Sequence, residues 1–208
     1  MQEINYLLIV VSAFAAIGSP GPATLAIAGA SMSHGRYSGL LLASGVLTGS
    51  LLWSTAAAFG LAAILHTNVW AFELLRYCGA IYLLCLSFKS LRSVFSSSQP
   101  ILPESLATTS KESYFKGLLI HLTNPKAVLF FGSLYSIGVP ATAQPFELLS
   151  VIFAVGVVSA CIFLGYAVVF SNGVARRVYL KSKGVFEGAF AVLFGAASYK
   201  LLTGEIGK

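Results

Sequence analysis

The sequence predicts an all-α membrane protein whose six transmembrane helices form two inverted three-helix repeats. Of its 208 residues, 57% are hydrophobic and 10% are charged, and the mean hydropathy is +0.84. Soluble domains carry about 25% charged residues, so this chain has too few polar side chains to cover a water-soluble globule. The charged residues are also grouped, which leaves uncharged stretches long enough to cross a membrane.

Six segments fit the length of a transmembrane helix, which needs about 20 apolar residues. No Asp, Glu, Lys or Arg occurs in 4–35, 37–72, 127–146 or 148–175. Two further segments carry charges near their ends, where long side chains reach the interface. The predicted spans are 4–33, 37–65, 69–91, 113–137, 147–172 and 184–204. The start, Met1-Gln2-Glu3, lacks the basic region of a secretory signal peptide, so we expect the first span to be retained.

Basic residues mark one side of the predicted bundle. Nine Lys and Arg residues flank the first, third and fifth connections: Arg36, Lys89, Arg92, Lys111, Lys116, Arg176, Arg177, Lys181 and Lys183. Connections rich in Lys and Arg stay in the cytoplasm, so both termini should face outward. Contacts with anionic headgroups of the bilayer then explain the net charge of +6, and we expect no nucleic-acid partner.

A linker at 96–112 divides the chain into two three-span repeats, 1–95 and 113–208. Its sequence, SSSQPILPESLATTSKE, is rich in Ser, Thr and Pro, which is typical of a flexible connection. Because each half has three spans, an odd number, the second half would lie upside down relative to the first.

The two halves carry similar motifs at similar distances. SPGPA (19–23) in the first span corresponds to TNPKA (123–127) in the fourth, and GAIYLLCLSFKSL (79–91) corresponds to GAFAVLFGAASYKLL (188–202). The first proline of SPGPA lies 105 residues before the proline of TNPKA, and the glycines that open the other two segments lie 109 apart. Inverted repeats with paired, proline-interrupted helices are typical of secondary transporters.

The first span should break at its PGP motif. Pro20 and Pro22 donate no backbone hydrogen bond and clash with the preceding turn, while Gly21 tolerates unusual backbone angles. We therefore expect one half-helix to end near Gly18 and another to begin with Pro22, since proline is favoured at the first helical position.

The fourth span should break in the same way at its NPK motif. Asn124 is a strong N-cap residue and Pro125 suits the first helical position. Lys126 follows, about ten residues from Lys116 and so ~15 Å into the membrane. An ionisable residue at that depth is a functional candidate.

Two facing helix breaks would form a small site that offers both helix N-termini and helix C-terminal carbonyls to a ligand. Helix N-termini favour anions and C-terminal carbonyls favour cations, so a zwitterionic amino acid fits. Ser19, Thr123 and Asn124 could complete its hydrogen bonds. The alternative is two proline kinks without a ligand. The predicted substrate site comprises Ser19, Pro20, Gly21, Pro22, Thr123, Asn124, Pro125 and Lys126.

Two groups are candidates for carrying a coupling proton. Lys126 could do so if burial favours its neutral form. His121, five residues earlier, could relay a proton or instead hydrogen-bond near the interface. The three cysteines, Cys78, Cys85 and Cys161, lack the spacing of zinc ligands, and we expect neither a metal nor a cofactor.

Glycines in the second span predict a close helix contact. GVLTG at 45–49 is a GxxxG pattern, which lets two helix backbones approach closely.

These motifs resemble the LysE family of amino-acid exporters, in its RhtB (threonine/homoserine exporter) branch. The similar segments are GSPGPATLAIAGASMSHGRYSGLLLASGVLTGSLLW (18–53), LRYCGAIYLLCLSFKSLRS (75–93) and LTNPKAVLFFGSL (122–134). The resemblance implies a bacterial inner-membrane protein that exports amino acids by proton antiport, without a cofactor. It assigns Pro20–Pro22 to one family motif and Asn124–Lys126 to the other.

The chain departs from the family pattern at one position and lacks aspartate, and the second feature bears on its substrate class. Leu86 lies near the position where many relatives carry a glycine before the helix end. The chain contains no aspartate, and the lack of a carboxylate near the membrane midplane favours a neutral amino acid such as threonine, homoserine or leucine. Export of basic amino acids or of another small solute or ion is the alternative, and the protein could act as a homo-oligomer.

An intramembrane enzyme using Ser19 and a histidine is a remote alternative, because zinc and aspartyl protease patterns are missing. We expect no enzymatic activity.

Overall fold

The computed structural model describes residues 4–67, 109–140 and 142–203, together with single positions between 77 and 94. Every regular element among these residues is an α-helix, which confirms the all-α prediction for the described part of the chain. Most of the third predicted span (69–91) and most of the linker lie outside the described residues. The helices are α1 (Tyr6–Gly18), α2 (Pro22–Thr67), α3 (Ser110–Leu122), α4 (Pro125–Gly138), α5 (Pro145–Phe170) and α6 (Gly173–Thr203).

The helix boundaries follow local sequence signals. Gly35 interrupts α2 with a φ of 80°, a left-handed conformation that favours glycine, and so separates the first two predicted spans. α3 begins at Ser110, earlier than the predicted start at 113. The reason is a capping box, in which Thr109 and Glu112 each accept a hydrogen bond from the other's backbone amide.

The last helix is longer than predicted. We expected a span at 184–204 after a basic connection, but α6 runs unbroken over Gly173–Thr203. Asn172 accepts a hydrogen bond from the amide of Val174 at 2.9 Å, and no proline follows within the helix. The basic residues of the fifth connection are therefore helical.

The outer surface of the described residues is apolar. Two described helices are long and apolar enough to cross a membrane by length and composition, Pro22–Gly60 and Pro145–Phe170, and α1 is a shorter apolar helix. Large apolar side chains more than 70% exposed include Leu7, Phe146, Phe153 and Val185. Such a surface suits lipid rather than water.

α2 lies at the centre and packs against α3, α4 and α5, while α1 packs against α4, α5 and α6. Glycines allow α2 and α3 to meet closely, as the GxxxG pattern predicts. A Cβ atom on Gly45 would overlap the carbonyl oxygen of Tyr114, and one on Gly117 would overlap the carbonyl oxygen of Leu42. This packing brings the ends of α1, α2, α3 and α4 together beside α5.

Candidate functional site

The first break begins where α1 ends at Gly18, as predicted. Ser19 has an extended backbone (φ −69°, ψ 142°). Its amide donates to the Ala15 carbonyl at 2.9 Å, and its hydroxyl donates to the Ala16 carbonyl at 3.0 Å. The Gly18 carbonyl accepts from the Tyr166 hydroxyl at 2.7 Å. We expected the carbonyl end of α1 to favour the substrate ammonium, but its carbonyls at Ala15, Ala16 and Gly18 already accept hydrogen bonds within the protein.

The break ends where α2 starts at Pro22, also as predicted. The Gly21 amide donates to the Thr24 hydroxyl at 2.9 Å, and that hydroxyl donates to the Gly21 carbonyl at 3.1 Å. Gly21 also makes room for a neighbour. A Cβ atom at this position would lie 3.3 Å from both Cδ and Nζ of Lys126, so a glycine here leaves space for the lysine.

The second break lies between Leu122 and Pro125. Asn124 caps α4: its side-chain oxygen accepts from the Lys126 amide at 3.0 Å, and its carbonyl accepts from the Ala127 amide at 2.9 Å. The predicted N-cap and first-position proline are both confirmed. Pro125 has no N–H, and the next two amides of α4, those of Lys126 and Ala127, both donate to Asn124. The first amides of α4 are therefore occupied within the protein.

Lys126 connects the two breaks. Its Nζ donates to the Ser19 carbonyl at 3.1 Å and also to the Ser19 hydroxyl, across 107 residues of sequence. The ammonium group therefore lies at the C-terminal end of α1, where the helix dipole favours a positive charge. This placement explains how a half-buried lysine is accommodated within a predicted span.

A cavity opens beside Lys126, between the broken helices and α5. Its empty volume is about 360 Å³, which includes the space at its open mouth. One part of its wall is polar and the other is apolar. The polar part consists of Ser19, Gly21, Thr24, His121, Asn124 and Lys126, and the apolar part consists of Ala16, Ile17, Ala23, Ala127, Phe130, Phe131 and Phe163.

The cavity collects five of the predicted residues: Ser19, Gly21, His121, Asn124 and Lys126. Pro20, Pro22 and Thr123 are not part of its wall. Pro22 is exposed and Pro20 is half-buried, and Pro125 supplies the first position of α4. Thr123 departs most from the expected role, because its side chain is exposed and its hydroxyl donates to the Leu119 carbonyl at 2.7 Å. A threonine at a helix end readily bonds back to the preceding turn.

The sequence analysis did not identify the apolar wall of the cavity or the hydroxyls of Thr24 and Tyr166 near the first break. Thr24 was recognisable as the third residue of a helix that starts at Pro22. Phe130 lies one helical turn after Lys126, so helical periodicity could have found it. Phe163 and Tyr166 come from α5, and only tertiary packing brings them to the breaks.

His121 is the least satisfied polar group of the cavity. Its side chain is 5% exposed, and among the described residues neither ring nitrogen has a hydrogen-bond partner. The ring packs edge-on against Phe163 and Phe131, with centroids 5.6 and 6.5 Å away. Gly49 of α2 faces it, and a Cβ atom there would lie 3.0 Å from the Cβ of His121.

Comparison with known families decides the class of the protein. The family model of the LysE type translocators matches residues 14–205. The chain belongs to the LysE type translocator family. This confirms the resemblance seen in the PGP and NPK motifs, and it makes the protein a transporter rather than an enzyme, as we predicted.

Curated relatives of this LysE type translocator are efflux proteins. A leucine efflux protein of Enterobacter sp. (strain 638) is 38% identical over 135 residues, which cover 64% of this chain and 62% of that protein, less than two thirds of its length. A leucine efflux protein of Klebsiella pneumoniae is 31% identical over 182 residues, covering 86% and 85%. A threonine efflux protein of Escherichia coli (strain K12) is 25% identical over 199 residues, covering 95% and 97%. No solved structure is significantly similar to the chain.

Proposed function

We propose that this LysE type translocator exports neutral amino acids from the cytoplasm across the bacterial inner membrane by proton antiport. Leucine, threonine and homoserine are the candidate substrates. The observation that carries the proposal is the position of Lys126, a positive charge in the wall of a cavity formed where two helices break.

The polar wall suits the carboxylate of an amino acid. Lys126 supplies a positive charge, and the start of α2 lines the same cavity through Gly21, Ala23 and Thr24. A helix N-terminus favours a bound anion. A carboxylate between Lys126 and the start of α2 would meet two favourable electrostatic contributions.

The apolar wall suits an uncharged side chain. Phe130, Phe131 and Phe163 form a large apolar surface, and the small residues Ala16 and Ala127 leave room beside it. None of the described residues that line the cavity is acidic. The side chain of a basic amino acid would therefore lack a partner of opposite charge, which favours neutral substrates over the basic alternative.

The two breaks support the proposed inverted repeat. α1 and α3 are each 13 residues long, and each precedes a break after which a helix starts with proline. We propose six transmembrane helices, with repeats at 1–95 and 113–208 and both termini outside. The matching design of α1–α2 and α3–α4 is what internal duplication of a three-helix unit would produce.

Proton coupling is proposed from the titratable groups at the cavity. Among the described residues in its wall, Lys126 and His121 are the two whose side chains carry a basic nitrogen. Antiport requires that substrate and proton exclude each other from the transporter. Either side chain could meet this requirement by contacting the substrate directly.

Transport by purified protein tests the proposal. The protein would be reconstituted in liposomes and given labelled leucine, threonine, homoserine and lysine, with and without a pH gradient, beside protein-free liposomes. We expect at least one neutral amino acid to move faster than in protein-free liposomes, and a pH gradient to accelerate it. Movement of lysine alone, or of no amino acid, would contradict the proposed substrate class, and indifference to the gradient would contradict antiport.

A further inference from the structure

His121 has hydrogen-bonding capacity that the described part of the protein leaves unused. Both ring nitrogens are buried without a partner there, and the residue lines the same cavity as Lys126. Leaving a buried polar group without a partner is unfavourable, so such a group in a ligand cavity calls for an explanation. Close packing against Phe131, Phe163 and Gly49 holds the ring in place.

The other polar side chains of the cavity are already engaged within the protein. The Ser19 hydroxyl contacts the Ala16 carbonyl and Lys126, and the Thr24 hydroxyl is bonded to the Gly21 backbone. The Asn124 side-chain oxygen accepts from the Lys126 amide. His121 therefore differs from its neighbours, because neither of its ring nitrogens has a hydrogen-bond partner among the described residues.

The amino-acid substrate proposed above needs an acceptor for its ammonium group. Four carbonyls at the end of α1 already accept hydrogen bonds from Ser19, Tyr166 or Lys126: those of Ala15, Ala16, Gly18 and Ser19. A neutral imidazole offers one nitrogen as an acceptor. We propose that His121 binds the α-ammonium group of the exported amino acid through its unprotonated ring nitrogen, while Lys126 binds the carboxylate. This inference rests on the proposed function and adds a second anchor to the same site.

Proton competition at His121 follows from this assignment. An imidazole that carries protons on both nitrogens can only donate, so a proton and the substrate ammonium exclude each other. The groups that face the ring from the surrounding helices are Gly49 of α2, Phe131 of α4 and Phe163 of α5, and Lys126 is the charged residue that shares the cavity. His121 would thus couple substrate release to proton binding.

Binding of leucine and of 4-methylpentanoate, which is leucine without its amino group, tests the inference. Both ligands keep the carboxylate and the apolar side chain. We expect His121→Phe to weaken leucine binding about tenfold or more, the effect of losing a hydrogen bond to a charged group, and to leave 4-methylpentanoate binding unchanged. His121→Gln, which keeps an acceptor, should retain part of the preference for leucine. An unchanged preference in His121→Phe would overturn the inference.

A second measurement uses the histidine itself, in case His121→Phe does not fold. With His34 and His66 replaced by glutamine, ¹⁵N-labelled histidine reports on His121 alone. We expect leucine to shift the resonance of a ring nitrogen and 4-methylpentanoate to shift it much less; equal responses would refute the contact. If the unmodified protein bound no amino acid at all, the proposed function would fail, whereas leucine binding without these differences would remove only the role of His121.

Discussion

Lys126 shows how a half-buried charge is accommodated within a predicted membrane span. An isolated ammonium group in a low-dielectric interior is costly. Here its Nζ meets the carbonyl and hydroxyl of Ser19 at the C-terminal end of α1, where backbone polarity favours a cation. The broken helix therefore stabilises the lysine, because the break exposes the backbone groups that contact its charge.

His121 should determine how transport responds to protons. Glutamine can accept a hydrogen bond from the substrate but cannot take up a proton. We therefore expect His121→Gln to slow leucine transport in liposomes. The rate of the remaining transport should be the same with and without a pH gradient. Lys126→Arg is the matched comparison: it keeps the positive charge, so its remaining transport should still respond to the gradient. If Lys126→Arg lost the response and His121→Gln kept it, Lys126 would be the proton carrier.

Tyr166 should stabilise the first break without taking part in binding. Its hydroxyl donates to the Gly18 carbonyl at 2.7 Å, and it lies outside the cavity wall. Tyr166→Phe removes this donor, and we expect a loss of roughly 1–2 kcal/mol in stability, measured by thermal unfolding in detergent. Tyr37→Phe, at a side chain 69% exposed, is the control and should change nothing. Equal stability of the two variants would mean that the contact is unimportant.

At the scale of helices, the sequence predicted what depends on local chemistry. The breaks at PGP and NPK, the Asn124 cap and the helix start at Pro22 all follow from proline and capping preferences within a few residues. The contribution of α5 could not be predicted in this way. Phe163 and Tyr166 lie in an apolar helix with no motif around them, and only its packing beside the breaks brings them to the site.

The contact between α2 and α3 should depend on two glycines. A methyl group on Gly45 or Gly117 would overlap a backbone carbonyl of the facing helix, which neither helix can move without losing the close approach. We expect Gly45→Ala and Gly117→Ala each to destabilise the protein by roughly 1–3 kcal/mol, measured by thermal unfolding in detergent. Gly60→Ala is the matched control, because nothing lies within 4 Å of its Cβ position. A comparable loss in Gly60→Ala would contradict this explanation.

At the scale of the whole molecule, the division into two halves is clearer in the sequence than in the structure, because the structure describes only part of the first half. The first half contributes α1 and α2, and most of its third predicted span lies outside the described residues. The last helix starts earlier than predicted, because a run of basic residues looked like a connection when nothing in 174–183 prevents a helix. Charge patterns report where the membrane surface lies, and they do not report where a helix starts.

The proposed topology can be tested at the two ends of α5. This helix has 26 residues and is ~39 Å long, so its ends should lie on opposite sides of the membrane. In a variant with Cys78, Cys85 and Cys161 replaced by serine, we expect a cysteine at Thr142 to react with a membrane-impermeant maleimide in intact cells. A cysteine at Asn172 should react only after the membrane is opened. Labelling of both positions from the same side would contradict the six-span arrangement.

Export by a Lys126→Ala variant tests the central claim most directly, namely that the two breaks and their lysine form the substrate site. Cells that express the native protein should survive toxic amino acids or dipeptides and accumulate less of the matching amino acid. We expect Lys126→Ala to insert normally and to export at most about a tenth as fast, since a charge-assisted contact with the carboxylate is lost. Export at the native rate by a normally expressed Lys126→Ala protein would contradict the account.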